Sequence, residues 1–496
     1  MINVVIPAAG VATRLRPLSS NVSKAMVRIN GKPAIDHIIS QIEKLSEIKQ
    51  IVIVDGQFTD IREYVLNRYQ NTINIKCVMQ PTLKGPRDAI DIGIRHVDDH
   101  YVPTVVWLGD AIILDDDLPL GEDFLLCKDV ADQSSWCMWD GKKYYNKPTS
   151  TIEDAVALVG LYSFSNTAEA KRAFGGTMKY DISDALELYD LPFKRLMTNK
   201  WYDIGSLQSY HQTCAELLNI KAREFNTIEY DSDLGLIKKI PDYHCAFSIK
   251  TLTSEIQWYK CLNPEQQAFV PKIFGSGTEL VMSYESGVLL SDLMLYEDLA
   301  DSTWEFIIDR IFNIKLKYFN KPATYPKFIK EFAYNAEQMW ITKTKFRTKG
   351  EFDEATVEQL TDIAWQVCKQ TRPIDGMHGD LHFGNIIYNQ HTNQFKFIDP
   401  RGKYGKWGTT YGDNIYDFAK LAHDLYHGYS AMAVGVKKNM AVEKIFLAKL
   451  KEYNLPVQPI LDGGLVLLAA CVELHADDPK KRERFKRYIT WMLKSR

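Results

Sequence analysis

Short apolar runs alternate with amphipathic helical patterns through the first 215 or so residues of the chain. The runs INVVIPA, QIVIVD, IKCVMQ and TVVWLGD predict buried strands, and segments between them, such as AIDHIISQIEKL and DAIDIGIRHV, predict helices. This β-α-β-α order favours a doubly wound α/β domain, in which helices cover both faces of a mostly parallel sheet. Ligands of such sheets bind at the carboxyl ends of the strands, where the sequence has Gly10 and Asp110.

The pattern changes near residues 216–232, where ELLNIKAREFNTIEYDSD ends a helix and becomes polar. We therefore predict one domain over residues 1–220 and a second over residues 225–496, as the length of 496 residues suggests. The second domain begins with a strand-like segment, GLIKKI, and a helix, SEIQWYKCL. From about residue 290 it is predicted to be mainly helical, apart from a hairpin around NIIYNQHTNQFKFID.

The composition is typical of a globular protein that buries large cores. Hydrophobic residues make up 46% and charged residues 25%, and the net charge of −3 gives no sign of a surface that binds nucleic acid or a membrane. The eight cysteines include no C-x-x-C pair, so neither a zinc site nor a disulfide scaffold is predicted. The start lacks signal-peptide features and the longest apolar run is too short to span a bilayer, so we expect a cytoplasmic protein.

The loop that follows the first strand combines small residues with cations. In IPAAGVATRLRPLSSNVSKAM, the small residues Ala8, Ala9 and Gly10 would let backbone N–H groups approach phosphate oxygens. Arg14 and Lys24 would then neutralise phosphate charge. Taken alone, the same loop is equally well explained as an ordinary turn after a strand.

The pattern A-G-x-x-T-R-L-x-P-L followed by S-K resembles the sugar-phosphate nucleotidyltransferases, the pyrophosphorylases that make NDP-sugars. Further matching segments follow in the same order to about residue 210, namely QPTLKGPRDAI, WLGDAII, NKPTS, ALVGLYSF, DISDAL and KWYDIGSLQSY. Two positions depart from the family pattern, because Ala12 stands at a usual glycine and Asp181 at a usual glutamate.

In such enzymes a sugar-phosphate oxygen attacks the α-phosphorus of an NTP and pyrophosphate leaves, while carboxylates at strand ends hold Mg²⁺ against the triphosphate. The resemblance implies Mg²⁺ ligands at Asp110 and Asp203, catalytic roles for Arg14 and Lys24, nucleotide contacts at Ala8, Ala9, Gly10, Gln80 and Gly85, and sugar-phosphate contacts at Lys147, Gly160 and Asp181.

A second, unrelated group of polar residues lies in MHGDLHFGNIIY and the following FKFIDPRG. Asp380 and Asn385 are spaced as in the kinase pattern H-R-D-x-x-x-x-N, and Asp399 ends a strand where kinases carry a metal-binding aspartate. Phosphoryl transfer needs a carboxylate to orient or deprotonate the acceptor hydroxyl, and an amide oxygen and a second carboxylate to hold Mg²⁺ against ATP. The plain alternative is a polar turn between two strands.

The form H-G-D-L-H-x-G-N followed by I-D resembles the aminoglycoside phosphotransferase and choline kinase superfamily, and GDNIYDFAKL matches a later element of that superfamily. The resemblance implies a two-lobed α+β domain, with a small lobe over about 225–287 and a helical large lobe over about 288–496. It implies an ATP-phosphate lysine at Lys238 or Lys239 with Glu255 as its helix partner, an adenine-binding hinge with Met282 and Tyr284, and structural roles for His378 and Asp417.

The two chemistries are consecutive steps, so we predict a bifunctional enzyme for surface-glycan synthesis. A kinase half would phosphorylate a sugar with ATP, at its anomeric hydroxyl, and a nucleotidyltransferase half would couple the phosphate to an NTP, with CTP or UTP slightly favoured. Choline or another amino alcohol, giving a CDP-alcohol, is the first alternative. The second is a non-catalytic sensor of nucleotide sugars, and a homo-oligomer is possible in each case.

Overall fold

A computed structural model describes the chain apart from residues 17, 21, 70, 71, 178, 221–225, 232, 233, 298, 391, 477 and 496. The described residues form two compact units, Met1–Leu217 and Leu218–Arg496. The boundary that the sequence predicts lies close to this division, and its residues 221–225 fall outside the described residues.

The first unit alternates strands and helices. Its strands are β1 Ile2–Pro7, β2 Arg28–Ile29, β3 Lys32–Pro33, β4 Ile48–Asp55, β5 Ile75–Met79, β6 Thr104–Trp107, β7 Ala111–Ile113, β8 Phe124–Lys128, β9 Cys137–Trp139, β10 Tyr144–Asn146, β11 Val156–Phe164, β12 Lys194–Met197 and β13 Trp201–Asp203. Its helices are α1 Ala34–Leu45, α2 Asp60–Tyr69, α3 Gly85–Arg95, α4 Thr167–Gly175, α5 Ile182–Leu186 and α6 Leu207–Ile220.

Nine of these strands form one sheet in the order β10-β9-β11-β6-β1-β4-β5, with β8 beside β11 and β12 beside β8. The strands β6, β1, β4 and β5 are parallel, as the β-α-β-α pattern predicts. Strand β11 runs antiparallel to β6, β8 and β9, so the whole sheet is mixed rather than mostly parallel. Side chains of β1 alternate between two cores, Val4 and Ile6 on one face and Val5 on the other, because both faces are covered by helices.

The second unit begins with a four-stranded antiparallel sheet in the order β14-β15-β17-β16. Its strands are β14 Asn226–Asp231, β15 Leu236–Pro241, β16 Ile273–Ser276, β17 Leu280–Ser283, β18 Val288–Leu289, β19 Lys321–Pro322, β20 Pro373–Asp375, β21 Ile386–Asn389, β22 Gln394–Phe397 and β23 Tyr411–Asp413. Its helices are α7 Ala246–Lys260, α8 Pro264–Gln267, α9 Leu290–Tyr296, α10 Asp301–Tyr318, α11 Pro326–Glu337, α12 Lys343–Thr348, α13 Glu354–Lys369, α14 Tyr416–Leu425, α15 Tyr429–Val434, α16 Met440–Glu452, α17 Val457–Ala469 and α18 Pro479–Lys494.

Strand β14 is a strand that the sequence did not predict, at the start of the second unit. Residues NTIEYD pair with β15 in antiparallel register, and half-buried side chains alternate with exposed ones along the strand. The exposed positions carry Thr227, Glu229 and Asp231, which explains why the segment looks polar in the sequence. From α9 onward the unit is mainly helical, with a core that includes Trp304, Phe312 and Trp340 and with the expected hairpin of β21 and β22. No helix of the described part of the chain is long and apolar enough to cross a membrane.

Candidate active sites

A cavity of about 350 Å³ lies at the carboxyl ends of β1 and β6 in the first unit. Its lining includes every residue of this unit that the sequence predicts for nucleotide binding, together with their neighbours. The lining consists of Pro7, Ala8, Ala9, Gly10, Val11, Ala12, Lys24, Ala25, Gln80, Leu83, Gly85, Pro86, Ala89, Leu108, Gly109 and Asp110. Residues that are 100 positions apart therefore form one concave surface, at the edge where parallel sheets usually bind ligands.

The small-residue loop of this cavity turns through a left-handed backbone conformation. Ala12 has φ 45° and ψ 47°, and its carbonyl oxygen accepts a hydrogen bond from Ser19 Oγ at 2.8 Å. A residue with a Cβ in this region costs about 1–2 kcal/mol, which explains why the related loops have glycine there. The departure at Ala12 therefore leaves the turn in place, with some backbone strain.

Two carboxylates and one lysine meet beside the loop. Lys24 Nζ contacts Asp110 Oδ2, and β13 pairs with β7 so that Asp203 lies opposite Ala111, the neighbour of Asp110. Burial raises the pKa of Asp203, the negative charge of Asp110 raises it further, and Lys24 offsets part of this effect. Carboxylates that approach each other in this way need a cation, and oxygen is the ligand atom that Mg²⁺ prefers.

A glycine opens helix α3 at the far wall of the cavity. Gly85 has φ +84°, and a Cβ at this position would lie 2.9 Å from the carbonyl oxygen of Tyr180. The side chain of Gln80 is fixed by donating to Asp88 Oδ2 at 2.8 Å and to the Gly85 carbonyl oxygen at 3.3 Å. A side chain at position 85 would therefore clash with Tyr180, and two hydrogen bonds hold the side chain of Gln80 in place.

The other predicted residues of this unit do not line the cavity. Arg14 is exposed in a 3-10 turn, and Lys147 is exposed with φ +48°. Gly160 lies within β11 at φ +92°, where Leu108 and Ala111 fill the space that a Cβ would need. Asp181 is exposed before α5 and lines a separate open depression with Lys179, Tyr180 and Asp184.

In the second unit, strand alternation separates the two candidate lysines. Lys239 points inward and is 6% exposed, while Lys238 points outward and pairs with Glu279 at 2.9 Å. Lys239 Nζ donates to Glu255 Oε1 of α7 at 2.7 Å and also contacts Asp399 Oδ1. Burial alone would lower the pKa of Lys239, but Asp399 and Glu255 together raise it above its usual value, so the lysine is charged.

The predicted catalytic loop is held in a compact form. Asn385 Nδ2 donates to the carbonyl oxygen of Asp380 at 2.9 Å and to its carboxylate at 3.3 Å. Asp399 follows the hairpin of β21 and β22 and has a left-handed φ of 57°. The same hairpin and its flanking turns therefore position all three predicted side chains, the carboxylates of Asp380 and Asp399 and the amide of Asn385.

Asp417 of α14 holds the first turn of this loop. Its carboxylate accepts the backbone N–H groups of His378 and Gly379 at 2.8 and 2.7 Å, and it pairs with buried Lys315 at 2.7 Å. His378 packs against Trp258, and burial lowers the pKa of its imidazole to about 4, so the ring is neutral near pH 7. Through these contacts Asp417 and His378 hold the loop in position.

The predicted hinge residues lie on or beside β17. Met282 is buried in the core, whereas Tyr284 is 38% exposed and packs against Tyr230 with ring centroids 4.8 Å apart. The backbone N–H of Tyr284 donates to the Gly235 carbonyl oxygen at 2.8 Å. The hinge is thereby tied to the turn between β14 and β15.

Sequence reasoning missed three residues around the catalytic loop. Asp424 accepts the N–H of Phe383 at 3.2 Å, Lys420 pairs with Asp380 at 2.9 Å, and Asp413 accepts hydrogen bonds from Tyr404 and Trp340. The spacing offered one signal, because Asp424 is two helical turns after Asp417 and must lie near the same face of α14. Within the described residues, no three His, Cys, Asp or Glu side chains form a ready-made metal site, so a metal ion would complete its shell with phosphate oxygens or water.

Comparison with known proteins gives matches to the first part of the chain. The family described as "Nucleotidyl transferase" matches residues 3–122. The bifunctional protein GlmU of Methanococcus aeolicus is 33% identical over 116 residues, which cover 23% of this chain and 26% of that protein. The choline-phosphate cytidylyltransferase of Streptococcus pneumoniae is 42% identical over 67 residues, covering 13% of this chain and 28% of that protein.

A longer match is to the CTP:phosphoglutamine cytidylyltransferase of Campylobacter jejuni, 25% identical over 266 residues that cover 47% of this chain and 97% of that protein. By contrast, the chain spans about a quarter of the length of the GlmU and choline-phosphate cytidylyltransferase relatives.

Proposed function

We propose that this chain, whose first unit carries a nucleotidyltransferase domain, joins an NTP to a small phosphorylated molecule and releases pyrophosphate. The observation that carries the proposal is the meeting of Lys24, Asp110 and Asp203 beside a cavity lined by a small-residue loop. A phosphate oxygen of the substrate would attack the α-phosphorus of the NTP, and the bond from the α-phosphorus to the pyrophosphate oxygen would break.

Each residue of the first site has a defined part in this reaction. Asp110 and Asp203 would hold Mg²⁺, which supplies charge neutralisation at the triphosphate when it is bound. Lys24 would turn from Asp110 toward the α-phosphate and stabilise the negative charge that develops there. The loop from Ala8 to Gly10 would bring backbone N–H groups to the phosphates, and Arg14 would add charge from the exposed side.

The second unit supplies the phosphorylated molecule in this proposal, acting as a small-molecule kinase. The buried pair of Lys239 and Glu255 supports this assignment, because an ATP-phosphate lysine needs a helix carboxylate to hold it in position. Asp380 would accept the proton of the acceptor hydroxyl, and Asn385 and Asp399 would hold Mg²⁺ on the nucleotide.

For the substrates we propose a sugar that is phosphorylated at its anomeric hydroxyl, as the sequence predicts. Choline is the second candidate, favoured by the 42% identity to a protein named choline-phosphate cytidylyltransferase. Two of the relatives described above are named as cytidylyltransferases, which supports CTP as the NTP.

The experiment measures the two half-reactions separately in the full-length chain with Mg²⁺. Pyrophosphate release is followed with CTP or UTP and a panel of sugar 1-phosphates and phosphocholine, and ADP release is followed with ATP and the corresponding alcohols. We expect Asp110→Asn to lower pyrophosphate release about 100-fold and to leave ADP release unchanged, and Asp380→Asn to do the reverse.

The matched control is Asp117→Asn, which changes an exposed aspartate and should alter neither reaction. If wild-type protein never releases pyrophosphate with any NTP and any phosphate of the panel, the proposed activity is wrong. If Asp110→Asn is as active as Asp117→Asn, the assignment of the site is wrong. A non-catalytic sensor would bind nucleotides in these assays with no release of either product.

A further inference from the structure

The carboxylate of Asp380 has a cationic partner that the kinase motif does not include, and two further cations meet at a tyrosine on the helix of that partner. Lys420 of α14 pairs with Asp380 at 2.9 Å. Lys343 Nζ and Arg401 Nη1 both donate to the hydroxyl oxygen of Tyr416, at 2.9 and 3.1 Å. We call Lys343, Arg401 and Lys420 the basic cluster.

The positive charge of the basic cluster exceeds the negative charge that faces it. Among the described residues, Lys420 is the only member of the cluster in an ion pair, since Lys343 and Arg401 share a neutral phenol. Lys420 is 8% exposed, and Lys343 and Arg401 are half-buried against the fully buried Tyr416, so water screens these charges less than at an exposed surface. Burial and the charges of Arg401, Lys420 and Arg347 lower the pKa of Lys343 well below its usual value, although Cys471 acts in the opposite direction.

Three separate elements bring these side chains together. Lys343 begins α12 directly after a π-helical turn, Gln338–Thr342, which shifts the register of the helix by one residue. Such turns are rare and occur frequently at functional sites. Arg401 follows Asp399 by two residues, and Lys420 lies one turn after Tyr416 on α14. A chance surface patch would need neither a π-helical turn nor the buried residues Tyr416 and Lys420.

A buried histidine adjoins the basic cluster. His423 follows Lys420 by one turn of α14 and is 1% exposed. In the described structure neither of its ring nitrogens has a hydrogen-bond partner, although Lys420 and Asp380 are close enough to influence its pKa. Buried polar groups are normally paired, so the unpartnered ring nitrogens of His423 beside Lys420 favour a polar ligand or a water molecule as their partner.

We propose that the acceptor of the second unit carries an anionic group, a carboxylate or a phosphate, close to the hydroxyl that is phosphorylated, and that Lys343 and Arg401 bind this group. The inference rests on the proposed kinase function. In the reaction the hydroxyl oxygen forms a bond to the γ-phosphorus of ATP, the bond from that phosphorus to the β,γ-bridging oxygen breaks, ADP leaves, and the hydroxyl proton passes to Asp380.

The position of the basic cluster separates it from the nucleotide contacts. The phosphate-binding lysine, Lys239, contacts Asp399 and Glu255, whereas the basic cluster reaches Asp380, the residue that would face the acceptor, through Lys420. A quaternary ammonium such as choline requires aromatic faces and carboxylates, and the cations Arg401 and Lys420 would repel it. The cluster therefore favours an acidic acceptor, such as a sugar acid, over an amino alcohol.

The test is a binding titration of the full-length chain with Mg²⁺ and AMP-PNP, a non-hydrolysable ATP analogue that occupies the γ-phosphate position. The anionic probes are glycerate, gluconate and glycerol 3-phosphate, the neutral probe is glycerol and the cationic probe is choline, and binding is measured by calorimetry. We expect binding of the anionic probes only. Binding of the two carboxylates or of the one phosphate then identifies which anionic group the acceptor carries.

Variants assign the binding to the basic cluster. Lys343→Met and Arg401→Met should each weaken anion binding at least tenfold and leave AMP-PNP affinity unchanged, whereas the control Lys345→Met, an exposed lysine on the same helix, should have no effect. When an acceptor that the enzyme phosphorylates is used, Lys343→Met and Arg401→Met should raise the KM for that acceptor more than the KM for ATP.

Three results would overturn the inference: no anionic probe binds, glycerol or choline binds as tightly as the anions, or Lys343→Met and Arg401→Met bind anions as the wild type does. Failure of the kinase assignment itself gives a different result, because AMP-PNP then fails to bind. In that case the anion titration is repeated without nucleotide and judged by the same criteria.

Discussion

Replacing Lys239 by methionine should destabilise the second unit in a manner that depends on pH. The lysine and its partner Glu255 have side chains that are 8% and 7% exposed, so removing the lysine takes the paired ammonium away from a buried carboxylate. Breaking such a pair costs about 3–5 kcal/mol. The carboxylate can avoid this cost by taking up a proton, which for an ordinary glutamate costs about 3.7 kcal/mol at pH 7 and about 1 kcal/mol at pH 5.

The loss in the free energy of unfolding should therefore reach about 3–4 kcal/mol at pH 7 and shrink to about 1 kcal/mol at pH 5. The assay is urea unfolding of the full-length chain at both pH values, fitted with one transition for each unit. Lys238→Met, which removes the exposed neighbour, should change stability by less than about 0.5 kcal/mol. The double variant Lys239→Met/Glu255→Gln should regain most of the loss.

A loss below about 1 kcal/mol at pH 7, or one that does not change between pH 7 and pH 5, would refute the buried ion pair as the source of the effect. Asp399 provides an internal check, because its side chain is 34% exposed and can be solvated when the lysine is removed. Asp399→Asn should therefore cost less stability than Lys239→Met, while it abolishes the Mg²⁺-dependent reaction.

Three further predictions concern other parts of the chain. Gly85→Ala should destabilise the first unit by about 1–2 kcal/mol in urea unfolding, because of its positive φ and the nearby Tyr180 carbonyl, whereas Gly10→Ala should preserve stability and weaken NTP binding in a calorimetric titration. Wild-type protein should lose about 3 kcal/mol relative to His378→Gln between pH 6.5 and pH 4, because the unfolded histidine takes up a proton near pH 6.5 and the buried one only near 4; equal pH profiles would contradict this. Lys343→Met should raise the free energy of unfolding of the second unit at pH 7 without ligand, since burial and neighbouring cations disfavour the charged lysine, and a decrease in urea unfolding would count against the basic cluster.

The parts of the fold that were predictable from sequence are those with strong local patterns. The strands β1, β4, β5 and β6 coincide with apolar runs, and the loop at Asp380 is a short motif with fixed spacing. Strand β14 was missed because its exposed positions carry polar residues, which resemble a linker when the pairing strand is unknown. The antiparallel course of β11 was also hidden, because an apolar run does not reveal its direction in the sheet.

The contacts that complete the second site depend on residues far apart in the chain. Lys315 and Asp417 are fully buried together, and no local pattern links positions 102 residues apart. The choice between Lys238 and Lys239 likewise required the position of α7, because adjacent strand residues face opposite ways and the sequence does not say which face is covered. The basic cluster combines α12, α14 and the segment after Asp399, so it emerged only from the folded arrangement.

Both proposed Mg²⁺ sites have a lysine whose ammonium group touches one of the expected metal ligands, Lys24 at Asp110 and Lys239 at Asp399. A free divalent ion would have to compete with that ammonium for the same oxygen atoms. An Mg²⁺ ion that is already bound to a triphosphate brings phosphate oxygens with which the displaced lysine can pair. The number of unpaired charges therefore does not rise. Each cleft is thus expected to ignore free Mg²⁺ and to take up metal and nucleotide as a single complex, with strong positive cooperativity between the two.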